Sequence, residues 1–315
     1  MRRVLLLGDN KTNLISPILE ELKKLNLEVD YIDAAELDAQ KKYPSVLHKL
    51  AAKTYLNFKI QGKRHWGREQ YIVSKTDSQY DLVIVFIPAM LNSVIAAQLK
   101  SQSRKLICVL WDSLEKSPSG KVLLNYSDKT FSFDDDDCKK GGISHLPSYH
   151  LNPLNYLNSP EMDVFSVLYF GDESDVRYQA VKRFAESNSH LKGEIYLIND
   201  KINKKSIRIN DIELVIQNTK LIGNELEEKL KSTKCILDIV DPRQKGLSFR
   251  LGDAYRYNKF LITNNNTIKS ELWFQENNFV LSDENYTVPT EFIEKEYTPV
   301  ESPHCIRNWV KKLIT

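Results

Sequence analysis

The segment from Cys235 to Asn265, CILDIVDPRQKGLSFRLGDAYRYNKFLITNN, constrains this chain most, because it reads as strand, polar loop, helix and strand in succession. Cys235 to Val240 is a short apolar run with Asp238 inside it, of a length that suits a buried parallel strand better than a helix. The loop breaks at Asp241-Pro242. Beyond Gly246 the apolar residues Leu247, Leu251, Ala254 and Tyr255 recur at helical spacing, so one face of a helix from Leu247 to Tyr257 packs on a sheet. The other flank is polar. Arg250 falls in the first turn, where free backbone N–H groups and the positive end of the helix dipole favour an anion, and Asp253 follows it on the same flank. Lys245 adds a second cation at that mouth. A helix start that holds phosphates, beside a carboxylate that accepts hydrogen bonds from sugar hydroxyls, suits a nucleoside diphosphate. A basic residue at a helix start also serves solubility and the dipole, and spacing alone leaves both readings open.

The remainder of the chain supplies more units of the same kind. Arg3 to Leu7, Leu14 to Leu25 and Leu27 to Ile32 read as strand, helix and strand, with Gly8-Asp9-Asn10 as the turn. Gly8 stands alone, so no dinucleotide fingerprint is present. Asp9 follows the first strand, where an open α/β sheet binds ligands, though a helix-capping role fits it as well. Asp81 to Ile87 and Lys105 to Leu110 are further strands around a helix from Leu91 to Lys100, and the second of them ends in Trp111-Asp112-Ser113. Later strands are expected at Val164 to Phe170, Glu194 to Ile198 and Asn278 to Leu281, with helices from Asp175 to Ser187 and Leu221 to Lys231. Gly171 allows close approach of a ligand to backbone, and Arg177 on the next helix is either a phosphate contact or a surface cation.

With 315 residues the chain is long enough for two domains, and 42% hydrophobic with 27% charged residues describes a soluble globular protein. A net charge of +2 gives no general attraction to nucleic acid, which is not expected as a partner. Cys108, Cys138, Cys235 and Cys305 show no pair spacing and suit the reduced thiols of a cytoplasmic protein. The apolar run of MRRVLLLGDN is too short for a signal peptide. The apolar stretch near Leu82 to Leu91 contains Pro88 and cannot span a bilayer, so any contact with the inner membrane is expected to be peripheral.

Three segments carry competing readings. Pro44 to Tyr71 is helical in pattern, interrupted at Gly62 and Gly67, and rich in cations and aromatics including Arg64, Trp66 and Arg68. It is either a solvated face or a basic surface for an anionic acceptor or a cytoplasmic leaflet. Asp134 to Asp137 could ligate a divalent metal, but acidic residues that cap and match the dipole of a short helix are the stronger reading, so no metal is assigned. His145 to His150, followed by Pro153 and Pro160, is marked by prolines as an interdomain linker is. Its histidines are read first as hydrogen-bonded structural groups.

The segments CVLWDS, KTFSFDDDDCKKGG, HLPSYH, DPRQKGLSFR and NKFLITNN together resemble GT-B glycosyltransferases of bacterial lipopolysaccharide-core and capsule biosynthesis, over most of the chain beyond about Asp81. The resemblance implies two Rossmann-like α/β domains facing across a cleft: an acceptor domain over 1–150 and a nucleotide-sugar donor domain over 160–302. It also implies that the amphipathic helix within 303–315 crosses back onto the first domain, although capping its own domain fits nearly as well. Asp253 stands where those enzymes hold the ribose with a glutamate, and Lys245, Gly246, Arg250, Gly171 and Arg177 are the further donor contacts. Where retaining members carry a second glutamate this chain has Lys245, so that sugar contact does not transfer. The expected activity is sugar transfer from a nucleotide-sugar, which is a substrate, to a surface glycolipid or polysaccharide, with no cofactor. Asp112 is the first choice for general base and Asp9 the second, while Trp111, Arg64 and Trp66 face the acceptor. A nucleotide-sugar epimerase and a non-catalytic nucleotide-binding or scaffold protein are the alternatives.

Overall fold

The computed structural model describes residues 2–10, 13–39, 45–46, 63–76, 79–154, 159–171, 175–199, 201, 204–241 and 246–315. The chain divides into two compact units, Met1–Leu146 with Ile314, and Pro147–Leu313 with Thr315. No helix among the described residues is long and apolar enough to cross a membrane.

In the first unit six strands are described: β1 (Arg3–Gly8), β2 (Glu28–Asp33), β3 (Leu82–Val85), β4 (Leu106–Leu110), β5 (Lys129–Ser132) and β6 (Ile143–His145). They lie in the order β2-β1-β3-β4-β5-β6 and every pairing is parallel. The sequences LVIV and LICVL of β3 and β4 are buried throughout, as expected for strands covered on both faces. The helices described in the unit are α1 (Ser16–Lys24), α2 (Ala34–Ala39), α3 (Lys63–Lys75), α4 (Ser93–Ser101) and α5 (Asp135–Cys138). Gly67, expected to interrupt a helix, lies inside α3. One glycine costs a helix about 1 kcal/mol against alanine, which packing of neighbouring turns outweighs. Gly62 and residues 44 and 47–61 of that basic segment lie outside the described residues.

In the second unit β7 (Met162–Tyr169), β8 (Gly193–Ile198), β9 (Lys205–Ile209), β10 (Ile212–Gln217), β11 (Thr233–Asp238), β12 (Phe260–Thr263) and β13 (Asn278–Val280) form a sheet of order β13-β12-β11-β7-β8-β10-β9. Only β9 is antiparallel to its neighbour within that described sheet. Helices α6 (Val176–Ser187), α7 (Gly223–Ser232), α8 (Phe249–Arg256), α9 (Thr290–Glu294) and α10 (Ile306–Ile314) accompany it. One face of the sheet packs Phe184, Leu197, Ile216 and Ile262; the other packs Phe165, Ile236, Leu251 and Phe274. Side chains alternate across a strand, which is why Leu237 and Ile236 join different clusters.

The chain reverses its direction of travel across each sheet: between β1 and β3 in the first unit, and between β7 and β11 in the second. Connections above and below the sheet diverge at such a point. The crevice outside the carboxyl ends of those strands is where open α/β sheets bind ligands.

Candidate nucleotide-binding site

At the β7–β11 reversal, α8 begins directly after the loop that leaves β11. Ser248 is its N-cap, accepting the backbone N–H of Arg250 at 3.1 Å. The Arg250 guanidinium donates from Nη1 to Asp253 Oδ2 at 2.7 Å and from Nη2 to the Val167 carbonyl of β7 at 3.0 Å. Arg250 thus ties the start of α8 to the strand beside it. The residues expected as one cation for phosphate and one carboxylate for sugar form an ion pair of two partly exposed side chains, at 23% and 29%. Burial pushes the Asp253 carboxyl up, and Arg250 opposes that shift. Gly246 sits in the loop before the helix, its carbonyl held by Asn265 Nδ2 at 3.1 Å. Lys245 lies outside the described residues.

Gly171, just beyond β7, is exposed and donates its N–H to Asp175 Oδ2 at 2.8 Å. Asp175 also caps α6 by accepting the Arg177 N–H at 2.8 Å. The Arg177 guanidinium lies 3.9 Å from the same carboxylate, so among the described residues its ion-pair partner is its own helix cap.

In the first unit, Asp9 is half-buried just past β1, at the reversal. The cap of α1 comes from Asn10, whose Oδ1 accepts the N–H groups of Ile15 and Ser16, both at 3.1 Å. Trp111 follows β4 and packs on Phe86, ring centroids 4.7 Å apart. Asp112 is about half exposed and pairs with Lys116 Nζ at 2.8 Å. Arg64 and Trp66 lie in α3, and their side chains are outside the described residues. Of the four consecutive aspartates, Asp134 caps α5 through the N–H groups of Asp136 and Asp137. Asp137, 1% exposed, accepts the Leu114 N–H and the Ser132 hydroxyl. Among the described residues no group of three or more His, Cys, Asp or Glu is placed to hold a metal ion.

No family model matches the sequence, and no curated protein matches it. Solved structures do match. An α-glucosyltransferase solved with UDP and a 13-mer DNA containing a central A:G mismatch aligns with a TM-score of 0.53, over 84% of this chain and 81% of that one, at 10% identity. The glycosyltransferase SnogD from Streptomyces nogalater aligns over 99% and 96% of the two chains at 13% identity, TM-score 0.46. The DNA-modifying β-glucosyltransferase solved with and without uridine diphosphoglucose covers 99% and 88% at 10% identity, TM-score 0.46. The fold is of the GT-B type.

In this GT-B fold one group of residues escaped the sequence reading: the acceptor-only carboxylate of Asp238 with the hydroxyls of Ser248 and Thr263, signalled in sequence by one acid inside an apolar strand. His150 is 2% exposed, with Nδ1 2.6 Å from Ser302 Oγ. Burial, with His304 adding to it and Glu271 opposing, takes its pKa down to about 3. The structural role expected for the histidines of this segment holds for His150. Residues Pro147 to His150 pack on α8: Ser148 Oγ lies 3.5 Å from the Leu247 carbonyl, and Tyr149 meets the edges of Phe249 and Trp309. A groove of about 530 Å³ opens at the opposite, amino ends of β7, β8 and β10. Its cations are engaged locally, Lys229 with Glu194 and Arg208 with Asp211.

Proposed function

We propose that the protein transfers a sugar from a nucleotide-sugar to an acceptor hydroxyl, with the second unit binding the donor. The observation that carries this is Arg250, anchored at the β7–β11 reversal beside the capped start of α8 and in contact with Asp253. Breaking the glycosidic bond puts negative charge on the departing nucleoside diphosphate. Oriented N–H groups and a fixed guanidinium stabilise that charge without reorganising. The two described bonds of Arg250 use two of its five N–H donors. In this reading Asp253 accepts the ribose hydroxyls. Lys245 and Gly246 add charge and close backbone approach, Gly171 and Arg177 flank the same edge, and the transfer needs no metal.

The first unit supplies the acceptor side. Trp111, Arg64 and Trp66 contact the acceptor, and Asp112, or in second place Asp9, accepts its proton in an inverting transfer. The acceptor is a bacterial surface glycolipid or polysaccharide, a reading supported by the sequence resemblance. The protein works in the cytoplasm, at most peripherally on the inner membrane.

The test is a panel of nucleotide-sugars incubated with purified protein, with nucleoside diphosphate release measured with and without lipopolysaccharide-core glycolipid, capsular oligosaccharide or duplex DNA. Release that depends on one of the first two supports the proposal. Dependence on DNA replaces the acceptor, an altered sugar without any acceptor favours an epimerase, and no turnover across the panel leaves a binding protein.

A further inference from the structure

We propose that Asp238 is a positioning residue for this donor site: its buried carboxylate fixes, through Ser248, the first turn of the helix from which Arg250 reaches the ligand. The inference rests on the donor reading above. Asp238 ends β11 at the reversal and is 8% exposed. One carboxylate oxygen accepts the Ser248 hydroxyl at 2.9 Å and the other the Thr263 hydroxyl at 3.3 Å. A hydroxyl has a single proton, so each of these two, once it donates to Asp238, must turn a lone pair elsewhere. Ser248 turns its lone pair to the Arg250 N–H, which is the N-cap of α8. Thr263 turns its own to the Asn265 N–H at 3.0 Å, and Asn265 in turn holds the Gly246 carbonyl. One acceptor-only group therefore orients both the start of α8 and the loop that precedes it.

A serine caps a helix without any such support, so capping alone does not call for a buried acid. Burying a carboxylate is costly, and here it lies behind a site meant for an anion. Burial raises its proton affinity, with Ser248, Arg250 and Thr263 opposing. What the acid supplies over an amide is direction. A carboxamide presents N–H on one side, which would meet one of the two hydroxyls donor to donor and turn it round.

The experiment is calorimetric titration of the full chain with whichever of UDP, GDP, ADP, CDP and dTDP the wild type binds most tightly. The variants are Asp238→Asn, Ser248→Ala, the double variant, Ser248→Thr, and Val288→Ala, a core truncation elsewhere in the unit. Asp238→Asn and Ser248→Ala should each weaken binding about tenfold, and the double variant no more than the worse single, because the bond that Ser248→Ala removes is one of the two that Asp238 directs. Ser248→Thr keeps the hydroxyl and should bind within about twofold of wild type. Val288→Ala should lose thermal stability but not affinity, which separates positioning from general softening. Wild-type affinity in Asp238→Asn, or fully additive losses, would overturn the inference while leaving the donor site standing. A wild type that binds none of the five diphosphates would overturn the donor reading itself.

Discussion

Asp112 and Asp9 show how far a position in sequence fixes a chemical role. Both follow parallel strands of the first unit, as their places after apolar runs indicate. Their surroundings differ in ways no spacing reveals. Asp112 carries a lysine at 2.8 Å on one of its two oxygens, whereas Asp9 stands at the chain reversal. With Asp112 as base, Asp112→Asn should lower turnover about 10²-fold or more and leave nucleoside diphosphate affinity unchanged. Measuring both on Asp112→Asn and Asp9→Asn decides between the two, since a near-normal rate in the first and a collapse in the second transfers the role to Asp9. The place of Arg250 in the first turn of α8 was legible in the sequence. Its pairing with Asp253 and with the Val167 carbonyl was not, because the latter joins residues 83 positions apart. In the proposed mechanism a guanidinium fixed in this way takes the part a divalent ion plays elsewhere. Turnover is therefore expected to survive chelation, and loss of activity restored by added manganese or magnesium would contradict that.

At the scale of elements, the apolar strands and amphipathic helices were read to within a few residues, since burial on both faces leaves long unbroken runs. The β9–β10 hairpin was missed. Its edge strand β9 carries Lys205 and Arg208 and has no fully buried residue, and it joins β10 through Asn210-Asp211, with Asn210 at φ 53°. A turn of that kind is signalled only by a polar pair. The four aspartates were better served by the plainer reading, as the Asp134 cap shows. Gly193 was not singled out, yet a Cβ there would lie 2.2 Å from the Val164 carbonyl oxygen of the neighbouring strand. Backbone cannot yield as a flexible side chain can. Gly193→Ala should cost about 2 kcal/mol and lower Tm by about 5 °C, read by thermal melting. An unchanged Tm would mean that β7 and β8 are less tightly joined than described.

For the whole molecule, the α/β class and the two-part organisation followed from the sequence, because repeated strand–helix–strand segments in 315 residues admit few other solutions. Side-chain clusters that unite distant segments were not legible. His150, Ser302, His304 and Glu271 lie up to 154 positions apart and meet within one cluster. The titration of His150 predicts a pH dependence. His150 has a depressed folded-state value near 3, so the unfolded chain binds its proton first as pH falls. Its contribution is complete above about pH 6.5 and declines below it, with a slope of at most about 1.4 kcal/mol per pH unit. Urea unfolding between pH 5 and 7, above the range where Glu271 titrates, should show that slope in the wild type and its loss in His150→Asn. A flat wild-type profile would contradict it. The central claim, that the carboxyl edge of the second unit binds a nucleoside diphosphate through α8, is tested most directly by titrating such diphosphates into wild type and Asp253→Ala and recording Tm for each. Loss of one charged hydrogen bond, about 1.5 to 3 kcal/mol, predicts binding to the wild type and about ten- to hundredfold weaker binding to a variant that remains folded. Equal affinity in the two proteins, or no binding to either, would contradict it.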